Sequence, residues 1–336
     1  MKRTRFTLVR RPQGRPVEAD FALVEEELPA LAEGEFLVAN RYASLDPAIR
    51  GWLDDAPSYM PPVPLGEAVR ATTVGEVVES RNPAFPVGQW VVGLHGIETH
   101  SIGRSDGFAS PVDPALVPSP THFLSALGAV GMTAWFGLER VLMPAPGQTL
   151  LVSAAAGAVG SLVGQLGRLK GCRTIGIAGG EAKCRRLVER YGYDAAIDHR
   201  GRDAEAIAEA IRAAAPEGVD RVFENVGGAC LDGALLALRD GARVALCGLI
   251  AEYNAPAPVG ARNLWQLIVR KATIRGFLVS EWLPEWPEGI AAMAALLREG
   301  KLVVDEHVDR GLDQAYAAFM RLFDGTNEGK MILEIA

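Results

Sequence analysis

The chain has 336 residues and a formal net charge of −7, with 49 % hydrophobic and 22 % charged residues. This length exceeds that of a usual single domain, so we expect two domains with ample material for a buried core. The negative charge gives no electrostatic reason to bind nucleic acid or an anionic membrane. No apolar run approaches the roughly 18 residues of a membrane span. We therefore expect a cytoplasmic protein without nucleic-acid or membrane partners.

The first part of the chain has the pattern of a β domain. The N-terminus is basic, as in a signal peptide, but no apolar segment follows, so "MKRTRFTLVRRP" predicts a strand of the mature protein. From there to about residue 120, many short strand candidates are broken by Pro and Gly, among them "EFLVANRYASL", "ATTVGEVVES" and "QWVVGL". This pattern indicates an irregular, mostly β domain.

The middle of the chain, from about Thr149 to Val279, alternates apolar runs with helical patterns. The runs are "TLLVSA", "TIGIAG", "VDRVFEN", "RVALCG" and "TIRGFLV", and each predicts a strand buried on both faces. Strand and helix in alternation indicate a parallel, doubly wound sheet. The closing "MILEIA" has no place in that sheet, so we expect it to return as a strand of the first domain.

The cysteines do not form a metal-binding pattern. They contain no C-x-x-C pair, and no histidine stands at metal-ligand spacing from any of them. The sequence therefore favours reduced, packed thiols in a cytosolic protein and no zinc site. The four cysteines are Cys172, Cys184, Cys230 and Cys247.

A glycine turn in "LVSAAAGAVGS" predicts a dinucleotide site. The places of the G-x-G-x-x-G fingerprint fall on Ala155, Gly157 and Gly160, so only the second and third glycines are kept. Gly157 lets the backbone approach a pyrophosphate, Gly160 allows close packing of helix on strand, and the helix N-terminus supplies free N–H groups. Such turns also join strands to helices without a ligand, so the motif alone leaves that alternative open.

The end of the second strand lacks the acid of an NAD site. An Asp or Glu is expected about 20 residues after the turn to bind the ribose 2′-hydroxyl, whereas "TIGIAGGEAKCRR" places Gly179 and Gly180 there. A 2′-phosphate fits that place, with Lys183, and with Arg185 or Arg186, to meet its charge. The alternative for these cations is a solvated first helical turn. Because the acid is absent, NADPH is preferred over NADH.

Several stretches in order resemble one enzyme family. They are "SAAAGAVGS", "FENVGGACLD", "CGLIAEYN", "IRGF" and "GTNEGKMIL", preceded by "NRYASLDPAIRG" and "YMPPVPLGEAV". The set is similar to the zinc-independent medium-chain reductases typified by leukotriene B4 12-hydroxydehydrogenase/prostaglandin reductase and plant alkenal double-bond reductases. "AGGEAKCRRL" with "DAAIDHR" is similar to the bacterial branch that includes curcumin reductase. The resemblance implies NADPH as cofactor, an α,β-unsaturated aldehyde or ketone as substrate, and a homodimer.

The resemblance also implies the fold and the domain limits. It predicts an α/β protein in which a Rossmann-type doubly wound parallel sheet is inserted in a mostly β, GroES-like catalytic domain. Residues 1–121 and 300–336 would form the catalytic domain, and residues 122–299 the NADP-binding domain. Two alternatives share this fold: a zinc-free NADPH quinone oxidoreductase, and an NADPH-binding protein without catalysis. The Tyr-Asn pair at Tyr253 and Asn254 favours the alkene reductase.

The family's cofactor contacts carry over position by position. His199 stands where many members have a tyrosine beside the 2′-phosphate, and Ala48 stands where a tyrosine is common, which indicates a wider substrate pocket. The implied cofactor-binding residues are Met132, Thr133, Gly157, Ala158, Val159, Gly160, Lys183, His199, Asn225, Cys247, Gly248, Tyr253, Phe277 and Asn327.

Reduction of an enone requires hydride delivery to the β-carbon and stabilisation of the enolate oxygen. Zinc alcohol dehydrogenases use a metal for the second task, but "LGEAVRATTVGEV" has no histidine at the matching place, so a hydrogen-bond donor must replace it. Tyr253 is our hypothesis for the donor, because it follows the fourth strand at the carboxyl end of the sheet; the alternative is that it only packs on the nicotinamide ribose. Tyr59 lines the substrate pocket or helps with protonation; the alternative is that it anchors the prolines around it. Trp282 either caps an apolar site or holds the following helix.

Overall fold

The structure is a computed structural model that describes residues 1–105 and 107–335. The chain folds into two compact units. One consists of Met1–Ser125 and Glu306–Ala336, and we call it the terminal unit; the other is Ala126–Asp305, the central unit. The assignment of catalytic and NADP-binding domains to residues 1–121 with 300–336 and to 122–299 stays a prediction.

The terminal unit is built on β-strands, as its short, Pro- and Gly-broken runs predict. β1 (Lys2–Leu8) and β2 (Phe21–Glu27) form an antiparallel pair. The larger sheet has the order β14-β15-β3-β4-β5-β7, with β6 paired to β3. Its strands are β3 (Glu35–Ser44), β4 (Arg70–Ser80), β5 (Trp90–Gly96), β6 (His100–Arg104), β7 (Ala109–Val112), β14 (Glu306–Arg310) and β15 (Lys330–Glu334). The closing "MILEIA" thus lies in β15, antiparallel to β3, and the strand prediction is confirmed.

Two helices pack on the apolar side of the terminal unit. They are α1 (Ile49–Trp52) and α9 (Ala315–Asp324). α9 is amphipathic, and its Ala315, Ala318 and Phe319 are buried in one cluster with Leu8 and Leu45. Burial of this face, rather than helix propensity, holds so short a helix in place.

The central unit contains one parallel sheet of six strands in the order β10-β9-β8-β11-β12-β13. The α/β, doubly wound fold is therefore confirmed. The direction of winding reverses between β8 and β11, and in such sheets ligands bind at that point, outside the carboxyl ends of the strands. The strands are β8 (Thr149–Val152), β9 (Arg173–Ala178), β10 (Ala195–Asp198), β11 (Val219–Glu224), β12 (Leu238–Leu246) and β13 (Thr273–Gly276).

Helices connect these strands. None of the helices within residues 1–105 and 107–335 is both long enough and apolar enough to span a membrane. Those of the central unit are α2 (Ala129–Phe136), continued by a π-helical turn at Gly137–Leu142, then α3 (Ala158–Leu169), α4 (Glu181–Glu189), α5 (Ala204–Ala214), α6 (Gly228–Leu236), α7 (Trp265–Val269) and α8 (Trp286–Arg298).

The structure differs from the strand predictions at the two edges of the parallel sheet. β10 was not predicted, because "AAID" is short and only Ile197 in it is buried. The prediction that "TIRGFLV" is buried on both faces was wrong: β13 covers only its first four residues, and three of them are exposed. As the last strand of this sheet, β13 has a neighbour on one side only among the residues that the structure describes.

Candidate active site

The glycine turn lies between β8 and α3. Gly157 is the N-cap of α3, and no side chain of the described residues caps this helix. A Cβ at Gly160 would lie 2.4 Å from the carbonyl oxygen of Ala154, so only glycine lets the helix approach the turn so closely. Ala154 itself has a φ of +46°, in the left-handed region that disfavours side chains. The first N–H groups of α3 lack helical partners, so the turn fits a bound pyrophosphate.

Tyr193 holds the first turn of α3 in place. Its hydroxyl donates to the carbonyl of Gly160 at 2.7 Å. Its ring covers Gly164, where a Cβ would lie 2.0 Å from the nearest ring carbon. Burial raises the pKa of Tyr193 well above its usual value, which keeps this donor protonated. Sequence reasoning missed both residues, although Gly164 continues the glycine spacing of the turn by four residues.

Gly179 and Gly180 follow β9, and polar side chains from the end of β10 lie against them. A Cβ at Gly180 would lie 2.7 Å from Nη1 of Arg200, and one at Gly179 would lie 3.2 Å from Nε2 of His199. The Asp198 carboxylate accepts the N–H groups of Gly180 at 2.8 Å and Arg200 at 3.0 Å, and these two bonds lower its pKa. The structure thus places a guanidinium and an imidazole where an NAD site has its acid.

The charges of two nearby cations act on the pKa of His199. Burial is the main cause that lowers the pKa of His199, and the charges of Arg200 and Lys183 lower it further, while Asp198 opposes them. The imidazole therefore stands in the positive field of both side chains. An additional anion, such as a phosphate monoester, would relieve this repulsion.

Arg185 and Arg186, the other cations predicted for the 2′-phosphate, form ion pairs with carboxylates instead. Arg185 pairs with Glu181 one helical turn earlier at 3.2 Å, and Arg186 pairs with Asp305 at 3.0 Å. Arg200 was missed by the sequence reasoning, because it follows a strand that was not predicted. The order of strands β8, β9 and β10 in a doubly wound sheet was the signal that could have found it.

The segments after β8, β11 and β12 are joined by hydrogen bonds. Asn225 donates from Nδ2 to the carbonyl of Ser153, and from its backbone N–H to Oγ of Ser153, both at 2.8 Å. The N–H groups of Cys247 and Gly248 donate to the carbonyl of Glu224 at 2.9 and 3.2 Å. Three loops at the carboxyl ends of the central strands therefore form one connected surface, which contains the glycine turn.

Tyr253 turns its hydroxyl back to its own loop. Oη accepts the N–H of Leu249 at 3.2 Å and lies 3.0 Å from the place of a Cβ at Gly248. Burial raises the pKa of this phenol, and the bond from Leu249 opposes the rise. Within the described residues the hydroxyl proton has no acceptor. The group is a neutral phenol whose proton remains available for donation. Burial also raises the pKa of the Cys247 thiol to about 12, so this neighbour is no nucleophile at neutral pH.

Three predicted residues of the central unit lie in packed surroundings. Met132 is fully buried in α2, and the Thr133 hydroxyl donates to a carbonyl of the preceding turn at 2.7 Å. Phe277 is buried 5.9 Å from Trp282, which in turn stacks on Phe136 at 5.6 Å. This stack fits the interpretation that Trp282 holds the following helix. The roles of Met132, Thr133 and Phe277 as cofactor contacts stay predictions.

Two predicted residues belong to the terminal unit. Tyr59 is 53 % exposed and lies edge-on to Trp52, with ring centroids 6.2 Å apart. Asn327 is buried and donates from Nδ2 to the carbonyl of Gly329 at 2.9 Å, within its own turn. Next to that turn, the buried Lys330 donates to the Asp46 carboxylate at 2.8 Å. The predicted roles of Tyr59 and Asn327 are not decided by these contacts.

All four cysteines are free. Within residues 1–105 and 107–335, no group of three or more His, Cys, Asp or Glu side chains is arranged to hold a metal ion.

Comparison with known proteins identifies the family. The chain is 38 % identical over 338 residues to the NADPH-dependent curcumin reductase of Escherichia coli (strain K12), covering 99 % of this chain and 96 % of that protein. It is 37 % identical over 336 residues to prostaglandin reductase 1 of Bos taurus, covering 98 % of each. The chain belongs to the medium-chain dehydrogenase/reductase family, in the branch of these two reductases.

Two family models and one solved structure agree with that membership. A model described as the N-terminal domain of oxidoreductase matches residues 4–110, and one described as zinc-binding dehydrogenase matches residues 158–295. The crystal structure of CurA from Vibrio vulnificus in complex with NADPH matches with a TM-score of 0.92 at 39 % identity, covering 99 % of both chains. The medium-chain reductase fold therefore extends over nearly the whole chain.

Proposed function

We propose that this protein uses NADPH to reduce the carbon–carbon double bond of α,β-unsaturated aldehydes and ketones. The reduced nicotinamide supplies the hydride when it is bound. The observation that carries the proposal is the glycine turn at the uncapped start of α3, combined with the cations beside Gly179 and Gly180. The names of the relatives support it, because the E. coli relative is an NADPH-dependent curcumin reductase and the CurA structure holds NADPH.

The chain's own residues would bind the pyrophosphate and the 2′-phosphate of NADPH in different ways. The backbone N–H groups of Ala158, Val159 and Gly160 at the start of α3 are the donors for the pyrophosphate. Lys183 and Arg200 supply charge for the 2′-phosphate, and His199 supplies a ring N–H donor beside them. A guanidinium matches the geometry of a phosphate with two parallel N–H groups, so Arg200 would add directional bonds as well as charge.

Tyr253 is the proposed donor to the substrate's carbonyl oxygen. As hydride reaches the β-carbon, negative charge develops on that oxygen, and a neutral phenol with a free proton can stabilise it. The bond from Leu249 to Oη holds the phenol in one orientation before substrate arrives. Tyr59, in the terminal unit, is proposed to line the substrate pocket, with Asn327, Asn225, Cys247, Gly248, Phe277, Met132 and Thr133 as cofactor contacts.

The test is NADPH oxidation, followed at 340 nm with a simple enal and a simple enone, repeated with NADH and with a quinone as acceptor. We expect turnover of both alkenes, a strong preference for NADPH, and slower reduction of the quinone. Fast turnover of the quinone alone would favour the quinone oxidoreductase instead. Binding of NADPH with no oxidation across a broad alkene panel would favour a protein without catalysis.

We also propose a homodimer that uses the open edge of the parallel sheet. β13 forms this edge, and the side chains of Trp265 and Ile268 on α7, the helix that precedes β13 in the chain, are 67 % and 68 % exposed. Large exposed apolar side chains and an open strand edge are both typical of a protein interface. Sedimentation of the wild type and of Trp265→Glu tests this, with a dimer and a monomer as the expected results. The four free thiols support the further proposal of a cytoplasmic location.

A further inference from the structure

Glu224 is a carboxyl group that the proposed chemistry does not use. It is the last residue of β11, a central strand, and it is fully buried. Oε1 accepts the N–H groups of Val226 at 2.7 Å and Gly227 at 2.8 Å. Oε2 is buried and has no hydrogen-bond partner within the described residues. A buried carboxyl with one unsatisfied oxygen is costly, so its position demands a reason.

The position of Glu224 links all three loops at the carboxyl ends of the central strands. The hydroxyl of Ser153, the residue that opens the glycine turn after β8, favours the charged form of the Glu224 carboxyl, and the same hydroxyl accepts the backbone N–H of the next residue, Asn225, at 2.8 Å. The Glu224 carbonyl accepts the N–H groups of Cys247 and Gly248 after β12. Its neighbour Asn225 holds the backbone of Ser153. Glu224 therefore stands between the segments that follow β8, β11 and β12, one of which contains the glycine turn.

The charge of Glu224 is poorly compensated. The titratable groups that face it are Cys230 from α6 and Cys247 after β12, and burial raises the pKa of each thiol to about 12, so both are neutral. Within the described residues no lysine or arginine pairs with it. Burial raises the pKa of Glu224 to about 7, while the N–H groups of Gly227 and Val226 and the hydroxyl of Ser153 oppose the rise. The proton is therefore exchanged in the physiological range.

We propose that Glu224 is a positioning residue for the dinucleotide and that it takes up a proton when the dinucleotide binds. The inference rests on the proposed function, because it requires a dinucleotide at the glycine turn. The phosphates of that ligand are anions, and the turn that would hold them begins at Ser153, whose hydroxyl favours the charged form of this carboxyl. A neutral carboxyl removes the repulsion between like charges. By linkage, protonation of Glu224 then strengthens dinucleotide binding.

Proton uptake is measured by titration calorimetry of NADPH binding at pH 7, in two buffers of different ionisation enthalpy. A group half protonated before binding and fully protonated after it takes up roughly half a proton. We expect the proton uptake of the wild type on NADPH binding to exceed that of Glu224→Gln by about half a proton. The matched control is Asp232→Asn, which removes another buried carboxyl of the central unit that accepts N–H groups of Arg262 and Asn263. It should leave the uptake unchanged.

The Kd for NADPH provides a second readout. An interaction of about one pKa unit weakens binding about tenfold as the pH rises from 6 to 8.5. This part of the pH dependence should vanish in Glu224→Gln, while the contributions of His199 and of the ligand's own 2′-phosphate stay in both proteins. Ser153→Ala keeps the carboxyl but removes a hydroxyl that favours its ionised form. It should move the midpoint of the pH dependence upward.

The outcomes separate this inference from the proposed function. Equal proton uptake in wild type and Glu224→Gln, with NADPH bound by both, overturns the inference and leaves the proposed function intact. Should Glu224→Gln fail to fold, an unchanged midpoint in Ser153→Ala overturns it in the same way. A wild type that binds no NADPH at any pH refutes the proposed function, and this inference with it.

Discussion

Replacement of Glu224 by glutamine should alter the stability of the central unit in a pH-dependent way. Glutamine keeps the size of the side chain and an oxygen that accepts the N–H groups of Val226 and Gly227. Burial raises the pKa of Glu224 from its ordinary 4.5 to about 7. At about 1.4 kcal/mol for each tenfold change in proton affinity, this rise corresponds to about 3 kcal/mol of unfolding free energy.

The sign follows from the raised pKa. The folded protein holds the proton of Glu224 more tightly than the unfolded chain, so its stabilising contribution is fully present below about pH 4.5 and is lost as the pH rises through about 7. Relative to Glu224→Gln, the wild type should therefore lose about 3 kcal/mol between pH 4.5 and pH 8.

Urea unfolding of both proteins at several pH values measures this difference. Hydrogen exchange of β8 and β11 assigns it to the central unit and not to the terminal one. Comparison with the variant cancels the groups that titrate equally in both proteins. A difference in unfolding free energy that stays constant from pH 4.5 to pH 8 would falsify the assignment of a neutral-range proton to this carboxyl.

Three further substitutions test the site. Arg200→Gln should weaken NADPH binding about 10- to 100-fold and leave NADH binding the same, since a charge-assisted contact contributes about 1.5–3 kcal/mol. The control is Arg185→Gln, which should change the binding of neither cofactor because Arg185 pairs with Glu181. Equal losses of NADPH and NADH binding in Arg200→Gln would refute a 2′-phosphate role. Tyr253→Phe should lower kcat about 100-fold with little change in the Kd for NADPH, and full turnover would remove the donor role. Gly160→Ala should cost about 1–3 kcal/mol of unfolding free energy because its Cβ meets the carbonyl oxygen of Ala154 at 2.4 Å. The control is Gly51→Ala, since nothing lies within 4 Å of a Cβ at Gly51. An equal loss of stability in both variants would contradict the packing argument.

Periodicity predicted the architecture well, because the central strands of a parallel sheet are buried on both faces and appear as continuous apolar runs. All four residues of β8 are buried, as are five of the six in β9. At the sheet edges the same rule fails. β13 has three exposed residues of four, and β10 has only Ile197 buried, so neither edge strand follows the pattern of the centre.

Some residues of the site could be recognised from the sequence and others could not. Gly157 and Gly160 could be recognised because the turn imposes a residue type at a fixed spacing, which a sequence displays directly. Arg200 and Glu224 could not, because their importance arises from strand order. The register of β10 beside β9 brings Arg200 to Gly180, and the adjacency of β8, β11 and β12 places the carboxyl of Glu224 among three loops.

The central claim is that hydride passes from NADPH to the β-carbon of a conjugated carbonyl compound. The most direct test supplies NADPH deuterated at the transferred position of the nicotinamide together with a simple enone, and locates the label in the product by NMR. The account predicts a saturated ketone with deuterium on the β-carbon. Deuterium on the carbonyl carbon of an allylic alcohol would contradict it.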